Sequence, residues 1–221
     1  MNEEIKTKAL YEKIPRIFLA LFLESEYPWQ ILPKIKAFIS DIAAKEKLGY
    51  TCIGENVWVG KNVKIYPTAT IEGPCIIGDE TVIRPGAFIR GSVIIGENCV
   101  IGNSTEIKNS VLLDGVQAPH YNYIGDSVLG YRSHVGAGVV LSNLKGGGSE
   151  VVIHFGKENI KTEMRKVGAF LGDEADLGCG TVANPGTVVG KRTRVYPNVV
   201  LRGIYPCDSI VKETNKIVKK D

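Results

Sequence analysis

Three side chains in this sequence have types and spacings that suggest chemistry: Arg84, Lys108 and His120. Arg84 and His120 are 36 residues apart, and Lys108 follows Arg84 by 24. If the chain coils with about 18 residues per turn, the first interval is two turns, which sets Arg84 and His120 on one edge about 9–10 Å apart. Lys108 then falls on the adjacent edge. Two fixed cations and an imidazole around one surface suit a phosphorylated small molecule. The imidazole of His120 is a base of the kind that takes a proton from an attacking amine.

The coil that must position these groups is legible as a repeat. Stepped in sixes, Ile53, Val59, Ile65, Ile71, Ile77, Ile83, Ile89, Ile95, Ile101, Ile107 and Leu113 form one unbroken aliphatic series. Gly follows the aliphatic residue at 54, 60, 78, 96 and 102, where a tight corner needs backbone freedom. The phase slips between Leu113 and Leu129, then resumes through Leu129, Val135 and Leu141 and again from Leu171 to Leu201. A period of six fits neither a helix nor a long strand. It fits a short strand and a corner, three of which close a triangular coil, so the chain is expected to form an all-β solenoid of about seven coils over residues 50–205. The largest break in the pattern, Ala118 to Asp126, crowds polar and aromatic residues together and contains His120.

The remaining segments lack the six-residue period. Residues 1–49 carry helical spacing, Ile14 to Leu23 and Ile31 to Ala44, broken by Pro28 and Pro33. They are expected to form a helical appendage whose apolar face, with Tyr27 and Trp29, caps the first coil; a docking surface for a protein partner is the alternative. Residues 142–170 leave the coils as a hairpin or loop containing Gly146-Gly147-Gly148 and a basic stretch from Lys157 to Lys166, and residues 206–221 are expected as a basic tail. The chain has 221 residues with 44% hydrophobic and 23% charged, values that exclude disorder and a coiled coil. Its net charge of +3 gives no reason to expect nucleic acid as the partner. No signal peptide or apolar run of membrane-spanning length is present, so the expected location is cytoplasmic, without a membrane partner. Five Cys without a CxxC pair read as reduced thiols, with Cys75 and Cys99 on core positions.

Several motifs together carry a more specific resemblance. Arg84-Pro85-Gly86, Glu106-Ile107-Lys108, Pro119-His120-Tyr121-Asn122-Tyr123-Ile124-Gly125-Asp126, Val135-Gly136-Ala137-Gly138 and Ser142-Asn143 occur in the order seen in the C-terminal acetyltransferase domain of the bifunctional N-acetylglucosamine-1-phosphate uridyltransferase/glucosamine-1-phosphate acetyltransferase family. Arg165 to Asp173 resembles the archaeal sugar-1-phosphate nucleotidylyltransferases with the same domain. The resemblance implies left-handed coils, which chain physics alone does not dictate. It further implies a homotrimer that moves acetyl from acetyl-CoA to the amino group of an amino-sugar 1-phosphate, with no metal. His120 would be the general base and Asn143 would orient the reacting groups. Arg84, Lys108, Tyr123 and His134 would hold the substrate, and Gly136, Ala137 and Cys179 would lie along the acetyl-CoA. The family usually has Asn at the position of His134 and an aromatic residue at that of Leu144. The sequence contains no Gly-rich nucleotide loop for uridyl transfer. Two readings therefore compete with acetyl transfer: a non-catalytic sugar-phosphate-binding or assembly subunit, and a zinc hydratase, which would need His120, His134 and His154 to converge on one metal.

Overall fold

The computed structural model describes residues 3–43, 49–155 and 158–220. Ala44 and Lys157 lie outside the described residues. The six-residue period becomes three parallel sheets that run the length of a β-helix. One coil is built from Cys75–Ile77, Val82–Ile83 and Phe88–Arg90. Each side pairs in register with the next coil: Ile77 with Ile95, Ile83 with Ile101, and Ile89 with Ile107. Seven complete coils and two sides of an eighth follow from this stacking, as the repeat requires.

The inward residues form one continuous core, with Ile77, Ile95, Ile101, Leu129, Leu171 and Leu201 among those fully shielded from solvent. Burying each such side chain contributes about 1.5–3 kcal/mol. Polar residues at the inner corners are satisfied locally: Thr81 Oγ1 donates to the Gly96 carbonyl at 2.9 Å and accepts from the Cys99 amide at 2.9 Å. Cys75 and Cys99 are buried as expected, and burial raises both thiols, Cys99 to about 12.

In two places the structure corrects the reading of the repeat. Leu113 is not a ladder residue; Ile95 pairs with Leu112, and the inward series continues through Ala118 and Ile124. The cause is a shortened corner. Where one coil turns through Gly91 and Ser92, both at positive φ, the next turns through Asn109 at φ 44, and Asp126 at φ 47 serves the same corner one coil later. Each of these corners lacks one residue, so the coils they begin advance by 17 residues rather than 18. Leu113 instead joins an apolar cluster outside the first sheet.

That outer cluster is the second correction. The appendage does not cap the first coil; it lies along the outer face of the first sheet. The outward residues of these strands, Ile76, Ile94, Val111, Val128, Phe170 and Val188, form an apolar stripe, and Leu10, Phe22, Trp29, Ile35 and Ile39 bury it. Trp29 stacks on Tyr27 at 4.5 Å and meets Phe170 at 6.0 Å between ring centroids. Asp173 pins the arrangement by accepting the amides of Glu12 at 2.8 Å, Lys13 at 3.2 Å and Tyr131 at 2.9 Å. The sequence carries a signal for this packing in strands of three successive apolar residues, CII, VII and AFL, which have both faces covered.

The two ends of the solenoid are closed by hairpins. Thr51–Gly54 runs antiparallel to Val57–Val59 at one end. At the other, the segment expected as a basic tail instead adds Ser209–Glu213 to the second sheet and returns through Lys216–Lys219, a short edge strand with a Lys at each end. The excursion contains the hairpin Val152–Phe155 with Glu158–Lys161, and Val151 and Ile153 bury against the outer cluster. No helix among the described residues is long and apolar enough to cross a membrane.

The two apolar layers should fail differently. Ile101→Asp puts a charge into the inward ladder and should abolish the cooperative β-sheet signal in circular dichroism. Ile76→Asp, on the outer stripe, should leave that signal but make the N-terminal segment susceptible to limited proteolysis.

Candidate active site

His120 ends the strand Gln117–His120, and Tyr121 turns the corner into the third sheet at φ 52. The side chain is exposed, with no hydrogen-bond partner among the described residues. Its position is fixed from below, because the buried Asn122 accepts the His120 amide at 3.2 Å and donates to the Gly136 carbonyl at 2.7 Å. The Gly138 amide donates to the His120 carbonyl at 3.1 Å, and the Gly180 amide to the Ala137 carbonyl at 2.8 Å. His120, Ala137 and Cys179 therefore stack in one column on successive coils. Gly136 lies beside it, where a Cβ would stand 2.7 Å from the Cys179 amide nitrogen.

Across the third sheet lies a connected polar group. The Tyr123 hydroxyl donates to Asn143 Oδ1 at 3.4 Å, and Asn143 Nδ2 donates to Asp126 Oδ2 at 2.5 Å. Asp126 Oδ1 accepts from Asn109 Nδ2 at 2.8 Å, and Lys108 Nζ stands 3.6 Å from Asp126 Oδ2. Gly125 makes this possible, since a Cβ there would fall 2.8 Å from both the Tyr123 hydroxyl and Asn143 Nδ2. Burial, followed by the charges of Glu106 and Asp126, raises the Tyr123 phenol above its ordinary value, so it remains a donor at neutral pH. Next to this group Arg90 pairs with Glu106 at 2.7 Å.

The other expected residues are placed less uniformly. Arg84 is not in register with His120. Ile83 aligns with Ile101 and Ile101 with Ala118, so Arg84 stands below Gly102 and Pro119, while His120 stacks on Asn103. The shortened corner at Asn109 displaces the register by one residue, although the two-coil separation holds. His134 is brought elsewhere: it lies on the outer face of the second sheet, beside Gln117, with Nδ1 2.8 Å from Asp176 Oδ1. His154, on the excursion hairpin, contacts Asn159 at 2.7 Å. The three His do not converge, and no group of three metal-ligating side chains occurs among the described residues. Lys145 and Arg165 tie the excursion to its own backbone through Glu150 at 2.9 Å and Gly148 at 2.8 Å.

The sequence reading assigned no role to Asn122 or Asp126, although both lie in the quoted block. For Asp126, at φ 47, the available signal was a short polar residue that accepts positive φ at an irregular corner. Removing Asp126 leaves Asn143, Asn109 and Lys108 without their shared acceptor, so Asp126→Ala should lower unfolding free energy by about 2–4 kcal/mol in urea titration. An unchanged midpoint would contradict this role.

Comparison with known proteins follows the same segment. The family described as the GMPPB C-terminal domain matches residues 71–218. The bifunctional sugar-1-phosphate nucleotidylyltransferase/acetyltransferase of Sulfurisphaera tokodaii is 33% identical over 90 residues, 41% of this chain and 22% of that protein. The bifunctional protein GlmU of Methanococcus aeolicus is 30% identical over 109 residues, 49% of this chain and 26% of that protein. GlmU of Wigglesworthia glossinidia brevipalpis is 32% identical over 158 residues, 72% of this chain and 32% of that protein. The chain spans less than a third of the length of these relatives. Among solved structures, AntD, an N-acyltransferase from Bacillus cereus, aligns with a TM-score of 0.43 at 19% identity, covering 78% of this chain and 90% of that one.

Proposed function

The chain belongs to the GMPPB C-terminal domain family, and from that premise we propose that it is an N-acetyltransferase using acetyl-CoA to acetylate the amino group of an amino-sugar 1-phosphate. The observation that carries the reading is the column His120–Ala137–Cys179 at one edge of the third sheet with the linked group Tyr123, Asn143, Asp126 and Lys108 across that sheet. The relative from Sulfurisphaera tokodaii, named for sugar-1-phosphate nucleotidyl transfer and acetyl transfer, supports this reading.

In this mechanism the acetyl-CoA thioester lies along the column and the sugar amine faces His120. The imidazole takes the amine proton as nitrogen attacks the thioester carbonyl. The C–N bond forms, the C–S bond breaks, and the proton returns to the departing sulfur to give free CoA thiol. Tyr123 and Asn143 orient the sugar through a rigid hydrogen-bonded pair, so little orientational freedom is lost at the barrier. Lys108 and Arg84 supply positive charge for the phosphate. A homotrimer would complete this shallow surface from a neighbouring copy. The chemistry requires no metal.

The second reading, a sugar-phosphate-binding subunit without turnover, draws on His134, which is engaged by Asp176 and stands apart from the group around Tyr123. Free-thiol release from acetyl-CoA with glucosamine 1-phosphate or galactosamine 1-phosphate separates the two. Acetyl transfer predicts sugar-dependent release that falls by about 10²–10⁴ in His120→Ala, with sedimentation unchanged. Absence of release from wild-type protein that still binds sugar phosphate would replace catalysis with the binding reading. Arg84→Ala should mainly raise KM for the sugar phosphate, because a phosphate contact is present in both ground and transition states.

A further inference from the structure

A large open groove lies away from His120, on the outer face of the second sheet toward the corner shared with the first, with a volume of about 1130 Å³. Its lining includes Arg132, Arg194, Lys220 and the His134–Asp176 pair.

The balance of charge in this groove is uneven in a specific way. Its three carboxylates are already engaged: Asp176 with His134 at 2.8 Å, Glu174 with Lys13 at 3.6 Å, and Asp114 with the Glu97 amide at 2.8 Å. Arg192 is held by a bidentate pair with Asp208 at 2.6 and 2.7 Å. Arg132, Arg194 and Lys220 form no ion pair with a carboxylate among the described residues, and the Lys220 ammonium donates to the Arg192 carbonyl. Arg132 lies over the Tyr131 ring at 5.1 Å. Lys220 is brought toward Arg194 because the C-terminal hairpin folds back onto the second sheet. Burial, then repulsion from Arg194, lowers the Lys220 ammonium below its ordinary value, although Asp208 and Asp176 act in the opposite direction.

The guanidinium of Arg194 on its strand and that of Arg132 at the preceding corner suit phosphate, and the polar amide of Gln117 and the imidazole of His134 offer further hydrogen bonds. The volume lies just above the roughly 300–1,000 Å³ usual for small-molecule pockets and is larger than inorganic phosphate would fill. We propose that this groove is a second anion site that binds a phosphorylated small molecule of about nucleoside-diphosphate size through Arg194, Lys220 and Arg132. The proposal goes beyond acetyl transfer and does not depend on it: the groove uses none of His120, Tyr123 or Asn143.

Calorimetric titration of the full chain with UDP, GDP and inorganic pyrophosphate at about 0.1 M salt tests it. Saturable binding that weakens by about tenfold or more in both Arg194→Ala and Lys220→Ala, with melting temperature and His120→Ala binding unchanged, is the expected result. Tighter binding of UDP or GDP than of pyrophosphate is expected for a ligand of nucleoside-diphosphate size; equal affinities would show that only the inorganic anion is read and would overturn that size. Absence of saturable binding by all three probes, equal binding by the folded variants, or binding lost in His120→Ala but retained in Arg194→Ala would overturn the proposal. Loss of thiol release with this binding intact would count against acetyl transfer alone.

Discussion

In-register stacking of aliphatic side chains inside the coil is the constraint on which every other feature depends. A parallel ladder leaves no freedom of position: once Ile83 pairs with Ile101, the residues that follow are fixed on the same edge to within one strand spacing. Corners can vary only where a residue accepts positive φ, a role taken here by Asn, Gly, Asp, Ser, Tyr121 and a few Glu and Arg residues. The result is a rigid prism whose inside is nearly uniform and whose outside can diverge.

The candidate site arises where that uniformity is broken. Removing one residue at Asn109 and one at Asp126 tightens two successive corners, and the short polar side chains that make those turns also hold the site together. Asp126 gathers Asn109, Asn143 and Lys108, so a backbone irregularity and a polar network share the same residue. The missing side chain at Gly125 opens the surface on which Tyr123 reaches Asn143. Asn122 similarly connects the His120 corner to the coil above.

The three outer faces have distinct chemical characters. The first is apolar and is covered by the chain's own N-terminal segment, with Trp29, Tyr11 and Asp173 tying the layers together. The second carries the mixed charges around Arg194 and His134, and the third carries the Tyr123–Asp126 group. His120 stands on the edge between the second and third, where a ligand can reach either. Covering the first face therefore leaves chemistry to the other two.

The sequence by itself determined the solenoid, because a period of six with β-branched and aliphatic residues has few other ways to bury its apolar face. It also located the irregular block around His120 and the order of Arg84, Lys108, Tyr123 and Asn143. Only the tertiary structure decided which of these meet. A one-residue change in a corner shifts all later residues relative to earlier ones, and the aliphatic pattern from Ile107 to Leu113 tolerates either alignment because Leu112 and Leu113 are both apolar. The structure chose Leu112 because Leu113 could be buried outside, beneath the helical segment, and this choice placed Arg84 below Pro119 rather than His120. The position of the N-terminal segment was open for the same reason: the stripe from Ile76 to Val188 exists only after coiling brings together residues about 18 positions apart.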